Sequence, residues 1–365
     1  MHLYVHIPFC HRICPYCSFH KHTPANTNIR KFVDALLTEA AIKQKENPSK
    51  LETVYFGGGT PSMLSDTHLR RLFNGLKETF DWNEVKEVTF ETNPATFTEK
   101  RAAFFKELGI TRISLGVQSW DPDILGILGR EHTPEQAADS IRLLRDAGIP
   151  EINVDLMFSI PGQSLEVWER TLITTLEQNP EHISAYNLTY EEDTEFFRKL
   201  GSGEWDNDPD QDAHFFEKTH DLLTQAGYRH YETSNFARDG HLSKHNLSYW
   251  QGEDYLGLGP GAVGTVKRQR FNNHPFTPSY IEQTLATGTP PHTVEVLTDN
   301  DLKTERIALL LRTDMGLPLD FIQPDLNPFV QSLYEEELAE TGENRLILTP
   351  RGRLLVDEIA VRLIP

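Results

Sequence analysis

Short apolar segments alternate with longer amphipathic segments along the chain up to about residue 228. The apolar segments predict strands at 3–7, 53–56, 87–91, 112–117, 152–158 and 182–188. Between them, segments such as 66–80 and 134–147 repeat apolar residues at the spacing of one helix face. Because strands buried on both faces are apolar throughout and parallel strands need helical crossovers, this alternation predicts a parallel sheet covered by helices.

Six consecutive strand-then-helix units fit two α/β architectures, a doubly wound sheet and a barrel. Polar residues gather at the C-terminal ends of successive predicted strands. Functional residues collect at that end of a TIM barrel, where the loops after the strands meet. We therefore predict an α/β fold in which residues 1–227 form a partial (β/α)6 TIM-like barrel.

The pattern changes after the last of these units. Segments at 228–236 and 255–266 are short and rich in β-formers, and they predict antiparallel strands. A glycine-rich stretch at 257–261 falls within the second of them. We expect residues 228–292 to form a β-rich extension of the barrel.

A third pattern occupies the C-terminal part of the chain. Helical segments at 299–311 and 328–340, followed by a hairpin and a last helix, predict a winged-helix-like domain at 293–365. Domains of this kind often bind DNA. This one is as acidic as the rest of the chain, which favours a structural or partner-facing role.

The charge balance narrows the range of partners. The 365 residues include 35 Lys and Arg against 54 Asp and Glu, which gives a formal net charge of −19. Nucleic acid phosphates and anionic lipid surfaces repel such a chain. No stretch approaches the ~18 consecutive apolar residues of a membrane span, and the first residues lack the pattern of a secretory signal. We therefore expect a cytoplasmic protein with no membrane span and no nucleic acid partner.

All three cysteines of the chain lie within one short segment. Cys10, Cys14 and Cys17 have the spacing C-x3-C-x2-C directly after the first predicted strand. An odd and tightly clustered set cannot be a disulfide framework, and in a reducing compartment it indicates a metal or cluster site. Three thiolates can hold three irons of a [4Fe–4S] cubane, which leaves the fourth iron open to an outside ligand.

Two other interpretations of the cysteines remain. A zinc ion could use them together with His20 or His22 as the fourth ligand. Zinc sites usually pair two C-x2-C segments, however, and this chain has no second one. Three unrelated structural cysteines are the other alternative, which their clustering makes a poor one. The sequence favours the iron–sulfur cluster.

Four segments of the chain resemble a known family. Residues 4–19, 57–62, 114–119 and 155–162 are similar to the radical SAM domain of the oxygen-independent coproporphyrinogen III oxidase family. The resemblance covers the barrel and, more weakly, the C-terminal tail. It implies a [4Fe–4S] cluster whose open iron is chelated by S-adenosylmethionine. In the family, one electron from the cluster splits this compound into methionine and a 5′-deoxyadenosyl radical, so the cofactor carries the chemistry.

The resemblance also implies which residues bind S-adenosylmethionine. Gly58, Gly59 and Thr60 end the second predicted strand and match the family's contact to the methionine amino group. The other matching residues are Tyr4, Glu91, Gln118, Arg130 and Asp155. Carboxylates suit ribose hydroxyls and the sulfonium charge, and an arginine suits the carboxylate. Each residue taken alone would more often belong to a turn, a helix cap or a buried strand.

Two subfamilies share this core, the oxidase proper and the HemW subfamily of heme chaperones. Three features resemble the second. Phe19 stands where the oxidase pattern has a further cysteine. The chain begins almost at the first predicted strand, so we expect the oxidase's N-terminal lid to be missing. Residues 245–250 read HNLSYW and match the HNxxYW signature, which is associated in that subfamily with heme binding.

We therefore expect a heme chaperone with His245 as the heme ligand. An imidazole is a good axial ligand of heme iron, and Tyr249 and Trp250 can stack on a porphyrin face. A lone histidine beside aromatic residues is nevertheless more often structural. The expected heme acceptor is a respiratory or membrane-associated protein. The alternatives are the oxidase, which decarboxylates two propionates of coproporphyrinogen III, and a plain zinc-binding interaction protein.

Overall fold

Strands and helices alternate along the chain as the sequence predicts. The structure is a computed structural model that describes residues 1–206 and 208–364. Its strands are β1 (His2–Ile7), β2 (Thr53–Gly58), β3 (Glu87–Thr92), β4 (Arg112–Gln118), β5 (Glu151–Phe158), β6 (His182–Asn187), β7 (Arg229–Glu232), β8 (Asn235–Ala237), β9 (Tyr255–Leu258), β10 (Val263–Val266), β11 (Gln269–Asn273), β12 (His292–Val296), β13 (Leu317–Pro318), β14 (Ala339–Gly342) and β15 (Arg345–Leu348). Its helices are α1 (Ile29–Glu46), α2 (Asp66–Thr79), α3 (Glu99–Leu108), α4 (Pro122–Ile127), α5 (Pro134–Asp146), α6 (Leu165–Glu177), α7 (Glu195–Gly201), α8 (Pro209–Gln225), α9 (Lys244–Trp250), α10 (Thr277–Thr287), α11 (Asp299–Leu310), α12 (Asn327–Glu335), α13 (Pro350–Leu354) and α14 (Val356–Leu363). None of the helices in the described ranges combines the length and the apolar character that a membrane crossing requires.

The chain forms two compact units, each assembled from separate segments. The first unit consists of Met1–Val154, Thr189–Glu204 and Asp254–Val296. The second consists of Asp155–Leu188, Trp205–Glu253 and Leu297–Pro365. The three consecutive domains expected from the sequence, at 1–227, 228–292 and 293–365, stay a prediction.

The first unit is built on one sheet with β1 in its interior. The strand order is β12-β11-β10-β9-β1-β2-β3-β4, and the first half of β5 follows β4. β1 to β4 are parallel neighbours, and β9 also runs parallel to β1, so that Tyr4 lies opposite both Tyr55 and Gly257. Helices provide the crossovers that parallel strands need, which confirms the predicted α/β class.

The segment 255–266 differs from the antiparallel strands predicted for it. β9 pairs with β1 in the parallel sense, and only its partner β10 is antiparallel to it, with Thr265 opposite Tyr255. β10, β11 and β12 then continue as antiparallel neighbours. The local sequence could not show the parallel pairing, because β1 lies at the other end of the chain.

The parallel strands of the first unit present their C-terminal ends at one edge of the sheet. Leu3, Val5 and Ile7 are completely buried, so β1 is held firmly between β2 and β9. The cysteine-containing loop starts directly after β1, and the last residues of β2, β3 and β4 reach the same edge. Polar residues that are far apart in sequence are thereby brought close to the cysteines.

The second unit contains the second half of β5, the strands β6, β8 and β7, and the C-terminal subdomain. These strands follow the order β5-β6-β8-β7, with β8 antiparallel to β6 and β7. β13, β15 and β14 form a separate antiparallel sheet. Helices α11, α12 and α14 share a core with it that includes Ile307, Leu317, Leu346 and Leu363. This arrangement is winged-helix-like, as predicted, and a helix follows each of β1 to β6, as the partial (β/α)6 prediction requires.

A buried carboxylate connects α1 to the segment after β9. The Glu39 side chain is completely buried and forms an ion pair with Lys43 Nζ at 2.9 Å. It also accepts hydrogen bonds from Gly259 N–H (2.9 Å), Asn273 Nδ2 (2.8 Å) and the Tyr280 hydroxyl (2.6 Å). A buried charge is tolerated only when it is paired and hydrogen-bonded in this way. Glu39 therefore fixes the position of residues 259–280 on α1.

Replacing Glu39 with alanine should lower the free energy of unfolding by about 3–5 kcal/mol, because three donors and the Lys43 ammonium lose their buried partner. Glu84→Ala is the matched control, since it removes a carboxylate from an exposed ion pair with Lys50 and should change the stability little. Urea denaturation followed by tryptophan fluorescence measures both. If both variants lose the same free energy of unfolding, the buried hydrogen bonds of Glu39 stabilise the fold no more than an exposed ion pair does.

Candidate cofactor site

The cysteine loop connects β1 to α1 and is closed at its base by backbone hydrogen bonds. The His22 N–H donates to the carbonyl of Pro8 (2.8 Å), and the Cys10 N–H donates to the carbonyl of His22 (3.1 Å). Within the loop, the Cys17 N–H donates to the carbonyl of Cys14 (3.2 Å). All three cysteines are half-buried free thiols. The loop therefore holds three thiols on one short stretch of backbone directly after β1.

Two of the sulfur atoms accept hydrogen bonds from residues outside the loop. The Thr60 hydroxyl donates to Cys10 Sγ (3.6 Å), and Arg130 Nη1 donates to Cys14 Sγ (3.7 Å). Burial raises the pKa of the Cys10 and Cys17 thiols in the protein alone, so their deprotonation would accompany metal coordination. A hydroxyl and a guanidinium suit sulfur that carries negative charge. The loop and its neighbours fit the ligands of an iron–sulfur cluster.

A zinc ion needs a different arrangement of ligands. It binds four ligands around one centre, whereas in a cubane each thiolate binds a separate iron. No group of three or more His, Cys, Asp or Glu side chains within residues 1–206 and 208–364 is arranged to hold a metal ion. One of the two proposed fourth zinc ligands, His22, shares hydrogen bonds with the carbonyl of Thr23 (2.8 Å) and the hydroxyl of Thr277 (2.7 Å). Zinc ligation by His22 would compete with these bonds.

β2 ends in glycines because its backbone meets the start of the cysteine loop. A Cβ on Gly59 would stand 2.8 Å from the carbonyl oxygen of Phe9, and Gly58 has a left-handed φ of +110°. The Gly59 N–H donates to the carbonyl of Ile7 and the Thr60 N–H to the carbonyl of Phe9, both at 2.8 Å. The predicted binding residues Gly58, Gly59 and Thr60 therefore lie directly against the loop.

Glu91 and Tyr4 lie beside the end of β2. The Glu91 carboxylate on β3 accepts hydrogen bonds from the Gly58 N–H (3.1 Å) and from the Tyr55 hydroxyl (2.7 Å). The Tyr4 ring on β1 lies 6.0 Å from the Tyr55 ring. Burial and, second, the charge of Glu91 raise the pKa of Tyr4. These two predicted residues thus share one neighbourhood with Gly58.

Three polar side chains meet at Gly116 of β4. A Cβ on Gly116 would stand 2.8 Å from Asn93 Oδ1 and 3.2 Å from Arg130 Nη2. The side-chain nitrogen of Gln118 would lie 3.0 Å from the same position. Arg130 Nη2 donates to Asn93 Oδ1 (2.5 Å) and to the carbonyl of Gly116 (2.6 Å). The structure therefore brings together Gln118 and Arg130, as predicted, and Arg130 also reaches Cys14.

Two features of these residues indicate a ligand site. Gln118 has a φ of +68°, which is rare for a residue with a side chain, and backbone strain of this kind is concentrated at functional sites. Arg130 Nε is buried and has no hydrogen-bond partner within the described part of the chain. A buried donor without a partner is costly unless a ligand completes it. Both observations fit a cofactor next to the cysteine loop.

The sequence prediction missed Asn93, which links two of the predicted residues. Its Nδ2 donates to Thr60 Oγ1 (3.1 Å), while its Oδ1 accepts from Arg130. Asn93 directly follows β3. The signal that singled out Glu91, a polar residue at the end of a strand, could therefore have found it.

The prediction also missed His6, which is buried within β1. Its Nε2 bonds to the carbonyl of His20 (2.9 Å), and because a carbonyl only accepts, this nitrogen carries the proton. Its Nδ1 then accepts from the Tyr4 hydroxyl (2.9 Å). Burial lowers the pKa of His6 to about 4, so the ring is neutral. No local pattern distinguishes His6 from any other strand residue.

The two remaining predicted residues, Asp155 and His245, belong to the second unit. Asp155 lies in β5 and is partly exposed. His245 lies in the short helix α9, where it is completely buried and its Nε2 shares a hydrogen bond with the Tyr249 hydroxyl at 2.9 Å. The HNxxYW motif therefore forms a helical turn that places these two rings on one face. The binding roles of Asp155 and His245 stay predictions.

The chain is similar to several known proteins. The model of the radical SAM superfamily matches residues 4–173. The heme chaperone HemW of Lactococcus lactis is 34% identical over 96% of this chain and 92% of its own length. The heme chaperone HemW of Bacillus subtilis is 33% identical over 98% of this chain and 97% of its own length. Coproporphyrinogen III oxidase (HemN) from Escherichia coli has a similar structure, with a TM-score of 0.85 and 24% identity over 99% of this chain and 89% of that one.

The fold and the cysteine loop define a radical SAM protein, a class that implies a [4Fe–4S] cluster and S-adenosylmethionine. Within that class, the chain belongs to the family of the heme chaperone HemW. The likeness to the oxidase, at 24% identity, shows the shared fold.

Replacing Cys10, Cys14 or Cys17 singly with serine should abolish the iron–sulfur signal of the anaerobically reconstituted protein, because each thiolate is assigned to a separate iron. Iron and sulfide content, visible absorption and EPR of the reduced protein measure the loss. Ser18→Ala, at an exposed neighbour of Cys17, should leave all three unchanged. An intact cluster signal in any of the cysteine variants would contradict the assignment.

Proposed function

We propose that this protein is a heme chaperone that binds a [4Fe–4S] cluster, S-adenosylmethionine and heme, and passes the heme to an acceptor protein. One observation carries the proposal: the chain is 33–34% identical, over 96% of its length or more, to proteins named heme chaperone HemW. The proposed acceptor is a respiratory or membrane-associated protein, and the proposed compartment is the cytoplasm.

The cysteine loop supplies three cluster ligands in this proposal. Cys10, Cys14 and Cys17 would each hold one iron, and the fourth iron would remain for the amino and carboxylate groups of S-adenosylmethionine. When both are bound, the cluster and S-adenosylmethionine together supply one-electron radical chemistry. The Thr60 hydroxyl and the Arg130 guanidinium donate to two of the sulfurs and would stabilise the thiolates.

The strand ends supply groups for the different parts of S-adenosylmethionine. The backbone at Gly58 and Gly59 allows a close approach and is assigned to the methionine amino group. The Glu91 carboxylate beside it is assigned to the ribose hydroxyls and the sulfonium charge. The buried Nε of Arg130, which has no partner in the described part of the chain, is a suitable donor to the methionine carboxylate.

Heme binding at His245 would require a local rearrangement of α9. The imidazole is completely buried, and its Nε2 is hydrogen-bonded to Tyr249. An axial ligand needs a nitrogen lone pair that faces the iron. Heme ligation through Nε2 of His245 therefore requires the bond to Tyr249 to open, and ligation through either ring nitrogen requires the buried face of α9 to become accessible.

The anaerobically reconstituted protein should bind hemin, with a shift of the Soret band, and should leave coproporphyrinogen III unchanged. Hemin titration with and without S-adenosylmethionine measures the first result. Incubation of the reduced protein with coproporphyrinogen III and S-adenosylmethionine under argon measures the second. Formation of protoporphyrinogen IX would instead favour the oxidase, and zinc without iron after anaerobic purification would favour a zinc protein.

His245→Ala should reduce the amount of hemin bound, because the variant lacks the proposed axial nitrogen. Tyr249→Phe should bind at least as much hemin as the unchanged protein, because the variant removes the hydroxyl bonded to Nε2 but keeps an aromatic ring for stacking. Absorption titration at the Soret band compares the two, with circular dichroism as the check of folding. If His245→Ala binds as much hemin as the unchanged protein, the imidazole is structural.

A further inference from the structure

A groove of about 1110 Å³ lies in the first unit between residues 20–31, which follow the cysteine loop, and helix α10. Its volume is at least that of typical small-molecule sites. Phe276, Ile281 and Leu285 give it an apolar wall. Phe276 is 57% exposed and Leu285 is 41% exposed, so two large apolar side chains face solvent within one concave surface. A hydrophobic concavity of this kind is characteristic of a binding site.

One imidazole in the groove wall has an unused nitrogen. The Nε2 atom of His20 is buried and has no hydrogen-bond partner in the described part of the chain. The backbone of Pro275 lies within reach of the same ring. When a neutral imidazole carries its proton on Nδ1, Nε2 has a lone pair that can bind a transition metal. Burial lowers the pKa of His20, which keeps the ring neutral at neutral pH.

The two neighbouring imidazoles, His6 and His22, have both ring nitrogens hydrogen-bonded. His6 uses both ring nitrogens, toward Tyr4 and the carbonyl of His20. His22 also uses both, toward Thr23 and Thr277. The three rings lie close together, with centroids 5.7 Å apart for His6 and His20 and 6.2 Å apart for His20 and His22. Among these three, His20 is the one whose chemistry indicates a ligand.

The rim of the groove suits carboxylates. Lys31 borders it, together with the N-terminal ends of α1 and α10. Neither helix has an acidic residue in its first turn, so their positive ends are not neutralised locally. Glu282 is the acidic side chain of the lining and lies farther along α10. An occupant with an apolar body and carboxylates at one edge would match this distribution.

We propose that this groove binds heme, with the His20 imidazole as an axial ligand of the iron and the propionates toward Lys31, at a site separate from His245. The inference rests on the proposed function, since it assumes that the chain binds heme. A bare metal ion would need several ligands round one centre, whereas the groove offers one imidazole and an apolar wall, which is the environment of a porphyrin. Binding requires the His20 ring to turn Nε2 from the wall into the groove.

In the His245→Ala background, which removes the other proposed heme ligand, His20→Ala should weaken hemin binding by about tenfold or more and should remove the absorption and EPR signature of imidazole-ligated iron. Metal-free protoporphyrin IX, which has no iron to ligate, should bind His20→Ala and the unchanged protein alike in a fluorescence titration. His22→Ala is the matched control, because it removes the adjacent ring whose nitrogens are already bonded, and it should keep the imidazole signature. His245→Ala should keep it as well. Leu285→Arg, at an exposed position of the apolar wall, should weaken the binding of both hemin and protoporphyrin IX.

The outcomes separate this inference from the proposed function. If the unchanged protein binds no hemin, the heme chaperone proposal fails and this inference fails with it. If the unchanged protein binds hemin and the double variant His20→Ala/His245→Ala binds it as well as His245→Ala does, with the same signature, the chaperone proposal stands and the assignment of His20 is wrong. Loss of iron–sulfur content in His20→Ala would also overturn the assignment, because His20 would then belong to the cluster.

Discussion

The site depends on the close approach of the end of β2 to the start of the cysteine loop. A side chain at Gly59 would collide with the backbone of Phe9, so the approach is available only to glycine. Backbone hydrogen bonds from Gly59 and Thr60 to the β1 side hold the two segments together. This contact brings the Thr60 hydroxyl to Cys10 Sγ and places the Gly58 backbone beside the Glu91 carboxylate. A displacement of β2 would disturb all of these positions together.

From that contact a series of hydrogen bonds crosses the strand ends. Thr60 accepts from Asn93, Asn93 accepts from Arg130, and Arg130 donates to Cys14. The series connects two of the three cysteines through residues that follow β2, β3 and helix α4. Side chains that are hydrogen-bonded to one another in this way keep their orientation before a cofactor binds. Less conformational entropy is then lost on binding. The buried Nε of Arg130 is the point in the described chain where this series still lacks a partner.

The segment that follows the cysteines connects this site to the groove at α10. Cys17 and His20 are three residues apart in the sequence, and the His20 carbonyl is held by His6 of β1. The opposite wall of the groove is fixed through Tyr280 and Glu39, which tie α10 to α1. The groove is therefore bounded by elements whose positions are set by buried polar contacts. A heme at His20 would stand in the same unit as the cysteine loop, which would make the heme and the cluster parts of one site region.

Sequence alone was sufficient for the α/β class, the (β/α)6 alternation and the candidate cluster loop, because periodicity and cysteine spacing are local properties. Family resemblance added residues such as Glu91 and Gln118, whose types match at strand ends. Only the tertiary structure decided that β9 pairs with β1 and that Asn93 joins Thr60 to Arg130. It also decided that His245 is buried and that His20 Nε2 has no partner among residues 1–206 and 208–364. Strand partners, burial and hydrogen-bond partners depend on residues far away along the chain, and no local pattern contains that information.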